Sequence, residues 1–238
     1  MDRKLFEILG FGVDSFNEDE AVGYIVKNYG QVVTINPEMI MNAQKQPEFA
    51  RIINNAELVI PDSVGVELGL KILGHKVPRI PGIHFGKRLL KYCADEGKTV
   101  ALVGAKPEVI ELATKNLTEE MPELKIAYRH DGYFSEDSQV KSEIIESKPD
   151  LVLVALGSPK QEFFIADIKK QLPSTVFVGL GGSFDVWAGV VERAPEIYQK
   201  LGLEWLYRTI MQPQRFKRIF PTLPLFVLKV LKERVSGK

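Results

Sequence analysis

Six apolar residues, Leu151-Val152-Leu153-Val154-Ala155-Leu156, run without a polar interruption between Asp150 and Gly157-Ser158-Pro159-Lys160. A strand with one wet face alternates apolar and polar residues. A strand covered on both faces does not, so this run predicts a strand inside a parallel sheet with helices on either side. Gly157 permits a tight turn, and Ser158 and Pro159 suit the cap and the first position of a helix. Strand, turn and helix start form either an ordinary connection or an anion site, since unpaired N–H groups and the helix dipole both favour negative charge. Lys160 and Gln161 on the first helical turn favour a phosphate or a sugar.

The rest of the chain repeats this plan. Strands are expected at Gln31–Pro37, stopped by its proline, and at Glu57–Asp62, Thr99–Val103, Leu124–Tyr128 and Thr175–Leu180, after an opening strand or hairpin over Leu5–Val13. Helices are expected from an Asn17 cap to Asn28, then over Glu38–Gln46, Phe49–Asn55, Ser63–Leu73, Pro107–Glu119, Ser135–Ser147 and Gln161–Gln171. Strands alternating with such helices imply an α/β fold, a Rossmann-like, mostly parallel sheet with helices on both faces. Ligands of such sheets bind at the carboxyl ends of the strands. Those ends carry Thr34-Ile35-Asn36, Pro61-Asp62, Gly104-Ala105, Gly157-Ser158 and Gly181-Gly182-Ser183.

Charge divides the chain in two. From Glu196 to Lys238 there are nine Lys or Arg and three Glu, a balance of +6, so residues 1–195 carry −6 of a total of zero. The expected domains are accordingly a Rossmann-like body over 1–195 and a basic, amphipathic C-terminal appendage over 196–238. Ile219–Val235 mixes Phe220, Leu223, Leu225, Phe226, Leu228, Val230 and Leu231 with Lys229, Lys232 and Arg234. It is shorter and more charged than the roughly 18-residue apolar run of a membrane span. It suits an anionic membrane surface, its own domain or another copy of the chain. No signal-like run follows the start, and the lone Cys93 excludes an internal disulfide, so a cytoplasmic protein is expected. No nucleic acid partner is expected.

Several residues at strand ends carry chemistry. Asp62 is either a helix cap or a general base. Thr34 and Asn36 offer a hydroxyl and an amide to a sugar, or simply make a turn. Gly181-Gly182 allows close approach of a ligand, and Asp185 suits a ribose or a base edge. Gly104-Ala105-Lys106-Pro107 lacks the full G-x-G-x-x-G pattern of a dinucleotide site, which weakens an oxidoreductase reading. His75, His84, His130 and Cys93 have no metal-ligand spacing, and neither a cofactor nor a metal is expected. Positive charge for a phosphate leaving group then falls to arginines. Arg208, Arg215 and Arg218 are the candidates, against the plainer reading of a basic surface helix.

These motifs, in this order, resemble the WecG/TagA/CpsF glycosyltransferases, glycosyltransferase family 26, over nearly the whole chain. The matching pieces are Thr34-x-Asn36-Pro37, Pro61-Asp62-x-x-Gly65, Arg79-Ile80-x-Gly82, Asp131-Gly132-Tyr133-Phe134, Ala155-Leu156-Gly157-x-Pro159-Lys160-Gln161-Glu162, Gly181-Gly182-Ser183-Phe184-Asp185, Arg193-Ala194-Pro195 and Gly202-Leu203-Glu204-Trp205-Leu206-Tyr207-Arg208. The resemblance implies an inverting, metal-independent transfer of a sugar, often N-acetylmannosamine, from a UDP-sugar donor to undecaprenyl-diphosphate-linked N-acetylglucosamine. Such a step belongs to wall teichoic acid or surface polysaccharide synthesis, at the inner face of the cell membrane. It implies that Asp62 is the base and that Thr34, Asn36, Arg79 and Gln161 hold substrates or the transition state. Asp185 matches a nucleotide-site position, and Gly104, Gly157 and Lys160 are expected to bind substrate. The appendage is expected to close the site, to bring its arginines to the diphosphate and to attach to the membrane. Ser63 and His84 depart from the family pattern, where a glycine and an aspartate are expected, and both bear on the sugar pocket. An envelope binding protein that keeps the fold without turnover is the remaining alternative.

Overall fold

The computed structural model describes residues 3–192, 194–195, 197–198, 203–211 and 216–237, without the side chains of Arg208, Lys217 and Arg218. Six parallel strands form one sheet in the order β4 (Leu58–Pro61), β3 (Gly30–Ile35), β8 (Val176–Gly179), β7 (Leu151–Ala155), β5 (Thr99–Gly104) and β6 (Lys125–His130). The apolar run of β7 lies in the middle, every residue buried. Leu151, Leu153 and Ala155 enter the core on one face, and Val152 and Val154 enter the core on the other. Two apolar faces leave no position for a polar residue. At the edge, β6 alternates partly covered and exposed residues.

The opposite edge is covered differently. The hairpin of β1 (Leu5–Ile8) and β2 (Phe11–Asp14) stands apart from the sheet. Buried Asp14 at its end accepts the Val59 N–H of β4 at 2.8 Å and pairs with Arg3 at 2.6 Å. A carboxylate thus satisfies a donor that a further strand would otherwise meet.

Helices α1 (Glu18–Asn28), α5 (Gly82–Asp95), α6 (Pro107–Glu120) and α9 (Ser183–Trp187) pack on one face. Helices α2 (Pro37–Ala43), α3 (Pro47–Asn54), α4 (Val64–Ile72), α7 (Ser138–Ser147) and α8 (Lys160–Ile168) cover the other. The neighbouring strands β3 and β8 therefore send their chains to opposite faces, towards α2 and α9. Strands β7 and β5 do the same towards α8 and α6. In doubly wound sheets ligands bind at the carboxyl ends of strands whose chains part in this way.

The structure corrects some details. Ser158 does not cap α8: Pro159 holds the cap position, no side chain caps the helix, and the Ser158–Pro159 peptide is cis. Helix α7 starts at Ser138, because the preceding segment is held against α8, with Phe134 packed on Phe164 and under the Lys160 ammonium. Helix α5 is not among the expected elements, although Phe85, Gly86, Leu89, Leu90 and Cys93 line its buried stripe. Burial pushes the Cys93 thiol up to about 12, as suits a packing residue rather than a nucleophile.

The C-terminal helix runs from Phe216 to Ser236 through Pro221 and Pro224. It is docked. Phe226 and Val230 join the buried cluster of β1, α2 and α4. Gly69 of α4 admits the contact, since a Cβ there would stand 3.2 Å from the Phe226 ring and 2.7 Å from Ile8. Glu233 accepts the Leu9 N–H of the hairpin turn at 3.0 Å, and Arg234 donates to the Leu73 carbonyl at 3.2 Å.

Candidate active site

Asp62 follows β4, where the sequence offers it as a helix cap or a general base. Ser63 does that instead, its Oγ accepting the Val66 N–H at 3.3 Å. Asp62 belongs to another helix start. Its Oδ1 accepts the Gly82 N–H of α5 at 2.6 Å. A carboxylate is favourably placed there, facing the positive end of the helix dipole. Two further bonds fix the corner, Asp62 N–H to the Ile35 carbonyl and Ile80 N–H to the Pro61 carbonyl, next to the β3–β4 register that sets Ile35 beside Pro61.

Thr34 reaches the same point from β3. A Cβ on Gly82 would stand 3.0 Å from the Thr34 methyl and 3.4 Å from Asp62 Oδ1, so glycine is what lets these three groups converge. The Thr34 hydroxyl donates to the Gly179 carbonyl at 3.0 Å. Asn36 is one residue beyond β3, and its Oδ1 accepts the Met39 N–H as the cap of α2 at 3.0 Å. Its turn-making role is therefore real, and its amide stays at the strand end.

Gln161 sits deeper than expected. It is buried, its Nε2 donates to Glu162 at 2.7 Å, and its Oε1 accepts the Gly181 N–H at 3.0 Å. It lies across Gly179, where a Cβ would meet Nε2 at 2.5 Å. Glu162 is buried too, and desolvation holds its carboxyl above the usual range against the opposing hydrogen bonds from Gln161 and Ser158.

A second group gathers over β7, β5 and β6. Gly104 has φ +123°, and a Cβ on it would collide with the Ala155 carbonyl oxygen, so packing alone explains this glycine. Ala105 donates its N–H to that oxygen at 3.1 Å and accepts the Gly132 N–H at 2.8 Å. Gly157, at φ +76°, faces open space. Lys160 lies exposed at the start of α8, 4.6 Å above the Phe134 ring, beside an open recess lined by Ser135, Glu136, Asp137 and Ser138. Asp185 is partly exposed on the first turn of α9, with Oδ2 near Gly182.

The appendage reaches this corner through Glu204. Arg79 Nη2 lies 3.4 Å from Glu204, and both side chains are largely covered. Arg208 is on the same helix, Glu204–Met211, and Arg218 is on the C-terminal helix; their side chains lie outside the described residues, as does the whole of Arg215. Among the described residues no three His, Cys, Asp or Glu side chains gather as metal ligands, and no helix is long and apolar enough to cross a membrane.

Comparison with known proteins decides the family. The model of the glycosyl transferase WecG/TagA/CpsF family matches residues 6–238. This chain belongs to that family. The N-acetylglucosaminyldiphosphoundecaprenol N-acetyl-beta-D-mannosaminyltransferase of Bacillus subtilis (strain 168) is 38% identical over 217 residues, covering 90% of this chain and 84% of its own. Its namesake from Staphylococcus aureus (strain MW2) is 37% identical over 205 residues, covering 85% and 80%.

Among the family motifs, sequence reasoning passed over three partners. Gly82 was quoted only as the end of a motif, yet it holds Asp62. Glu204 was quoted likewise, yet it pairs with Arg79. Glu162 was read as part of a helix start, yet it is a buried acid beneath Gln161. A carboxyl one residue after a buried amide on the first helical turn was the available signal for the last.

Proposed function

We propose that this glycosyltransferase moves N-acetylmannosamine from a UDP donor to undecaprenyl-diphosphate-linked N-acetylglucosamine, with inversion and without a metal. The activity for which the relatives are named supports the substrates. The observation that carries the mechanism is the Asp62 carboxylate, held against the start of α5 beside Thr34 at the carboxyl ends of β4 and β3. In the reaction an acceptor hydroxyl gives its proton to Asp62 while its oxygen bonds to the anomeric carbon. The bond from that carbon to the diphosphate breaks on the far side, and UDP leaves with the electron pair. An attack opposite to the leaving group inverts the centre. Asn36 and Thr34 line the sugar side. Gly157, Lys160 and Asp185 serve the donor, Arg79 holds the transition state, and Arg208, Arg215 and Arg218 offer guanidinium forks to the diphosphate.

The outer side of the C-terminal helix supports membrane attachment. Phe220, Leu228 and Val235 are exposed, with basic Lys232 and Arg234 among them. Such a surface rests at the anionic inner leaflet while Phe226 and Val230 keep the helix on the body.

The test is UDP release with a panel of UDP-sugars and a diphosphate-linked N-acetylglucosamine lipid analogue, with and without EDTA. Acceptor-dependent release from UDP-N-acetylmannosamine, unaffected by EDTA, is expected. Release from a glucosyl or uronosyl donor instead would trace to Ser63 and His84 and overturn the donor assignment. Loss with EDTA overturns the metal-free mechanism.

A further inference from the structure

Buried Glu162 has no task in the mechanism above, and its surroundings suggest one. It follows Gln161 on the first turn of α8, and both side chains are almost wholly enclosed, at 2% and 3% exposure. Consecutive residues on a helix diverge by about 100°, so a single interior seldom takes both. Here the two side chains turn to each other, with Gln161 Nε2 donating to Glu162 Oε1 at 2.7 Å. That bond settles which end of the amide faces which way. Its other end, Oε1, is thereby aimed at the Gly181 N–H, 3.0 Å away. Gln31, from β3, donates to the Glu162 backbone carbonyl at 3.5 Å and closes the cluster from below. Among the described residues Glu162 has no cationic partner, and neutral Gln161 and Ser158 are the side chains that hydrogen-bond its carboxyl. A buried acid kept at such a cost of desolvation needs a reason other than stability.

The recipient explains it. Gly181 has φ +49°, and neither it nor exposed Gly182 is crowded by the protein, so little else restrains this turn on its outer side. The turn leads into α9 and Asp185. We propose that Glu162 is a positioning residue for the donor side of the site: through the Gln161 amide it holds the Gly181-Gly182 turn and so sets where Asp185 stands. The identity of the ligand rests on the function proposed above; the restraint on the turn does not.

The test reads both parts separately. Amide hydrogen exchange at Gly181, followed by NMR on the whole chain without substrate, reports the restraint. Glu162→Leu fills the space but offers no acceptor; Glu162→Gln keeps a neutral acceptor. Gly181 exchange is expected to quicken about tenfold in Glu162→Leu and in Gln161→Leu, the size of one lost hydrogen bond, and to stay near wild type in Glu162→Gln. Glu162→Asp, which withdraws the acceptor by one methylene, gives the same reading should Glu162→Leu not fold. With turnover, the donor KM is expected to rise about tenfold in Glu162→Leu while the acceptor KM holds, and adding Gln161→Leu is expected to cost nothing more. Unchanged Gly181 exchange in Glu162→Leu or Glu162→Asp overturns the proposal, as do losses that multiply in the double variant. A wild-type chain that releases UDP from no donor defeats the proposed function alone, and Gly181 exchange still decides the role of Glu162.

Discussion

Replacing Asp62 by Asn separates its two roles. Asparagine keeps an oxygen for the Gly82 N–H, now received at 2.6 Å, but cannot take a proton from an acceptor hydroxyl. The structural loss is the difference between a charge-assisted and a neutral hydrogen bond, plus the attraction of a carboxylate to the α5 dipole, together about 1–2 kcal/mol. In a chain of 238 residues that lowers Tm by roughly 2–8 °C, leaving the protein folded at 25 °C. The chemical loss is larger. General-base catalysis contributes about 100- to 10,000-fold, or roughly 2.7–5.4 kcal/mol of barrier. The assay is acceptor-dependent UDP release, with donor binding and a melting curve on the same preparation. A kcat at least about 100-fold down, with donor binding kept, is the expected result. A folded variant within about threefold of wild type would leave Asp62 as nothing more than the cap of α5, and the base would have to be sought elsewhere. A Tm drop far beyond the expected range, with activity tracking the folded fraction, would refute the energetic separation itself.

Three further outcomes follow from packing and charge. Gly104→Ala places a methyl on the Ala155 carbonyl at a backbone conformation that side chains avoid, and a loss of about 3 kcal/mol or more is expected in denaturant unfolding. Asp150 meets the Thr99 N–H at 2.9 Å, the Lys98 ammonium at 3.0 Å and the Thr99 hydroxyl at 3.1 Å; burial opposes its charge, these contacts outweigh burial, and its carboxyl lies below the usual range. A depressed acid stabilises the fold above its unfolded value, about 3.9, and loses that contribution as pH falls through the folded value, so Asp150→Asn is expected to flatten the fall of Tm below about pH 4. Phe226→Ala removes a ring that is 1% exposed, at a cost of about 3–5 kcal/mol to the docking of the C-terminal helix, and limited proteolysis is expected to cut that helix while the sheet stays intact.

How much the sequence revealed follows from range. The β7 run shows its place in the sheet because burial on both faces is written into consecutive residues. The β3 and β4 strands are legible for the same reason, as is the neighbourhood of Thr34 and Asp62 at their ends. The hidden contacts are those between distant segments. Asp62 and Gly82 are 20 residues apart, Arg79 and Glu204 are 125 apart, and Leu9 and Glu233 are 224 apart. No local pattern specifies such pairs. Helix α5 was obscured because Gly82, Gly86 and scattered charges thin its apolar stripe, although Phe85, Leu89, Leu90 and Cys93 keep the spacing. The C-terminal helix reads as a surface segment because only Phe226 and Val230 of its apolar residues are fully covered.

Asp62 shows why the choice between cap and base was poorly posed. A cap for its own helix would have been local, and serine, one residue on, performs that task. By capping a helix 20 residues away instead, Asp62 ties β4 to α5 and is itself fixed in direction. Fixing matters more than basicity here: an ordinary carboxylate is a modest base, and its rate advantage depends on standing within hydrogen-bond reach of the hydroxyl it deprotonates. Gly82 serves twice, donating the N–H and, for want of a Cβ, leaving room for Thr34 against the same carboxylate. The structural tie and the proposed chemistry thus use one geometry, and a substitution at Gly82 should damage catalysis through position while every catalytic side chain remains. Gly82→Ala sets a methyl 3.0 Å from the Thr34 side chain, tight enough to shift one of the two. A fall in kcat with little change in donor KM is the expected signature, and full activity would show that the convergence of Thr34 and Asp62 is incidental.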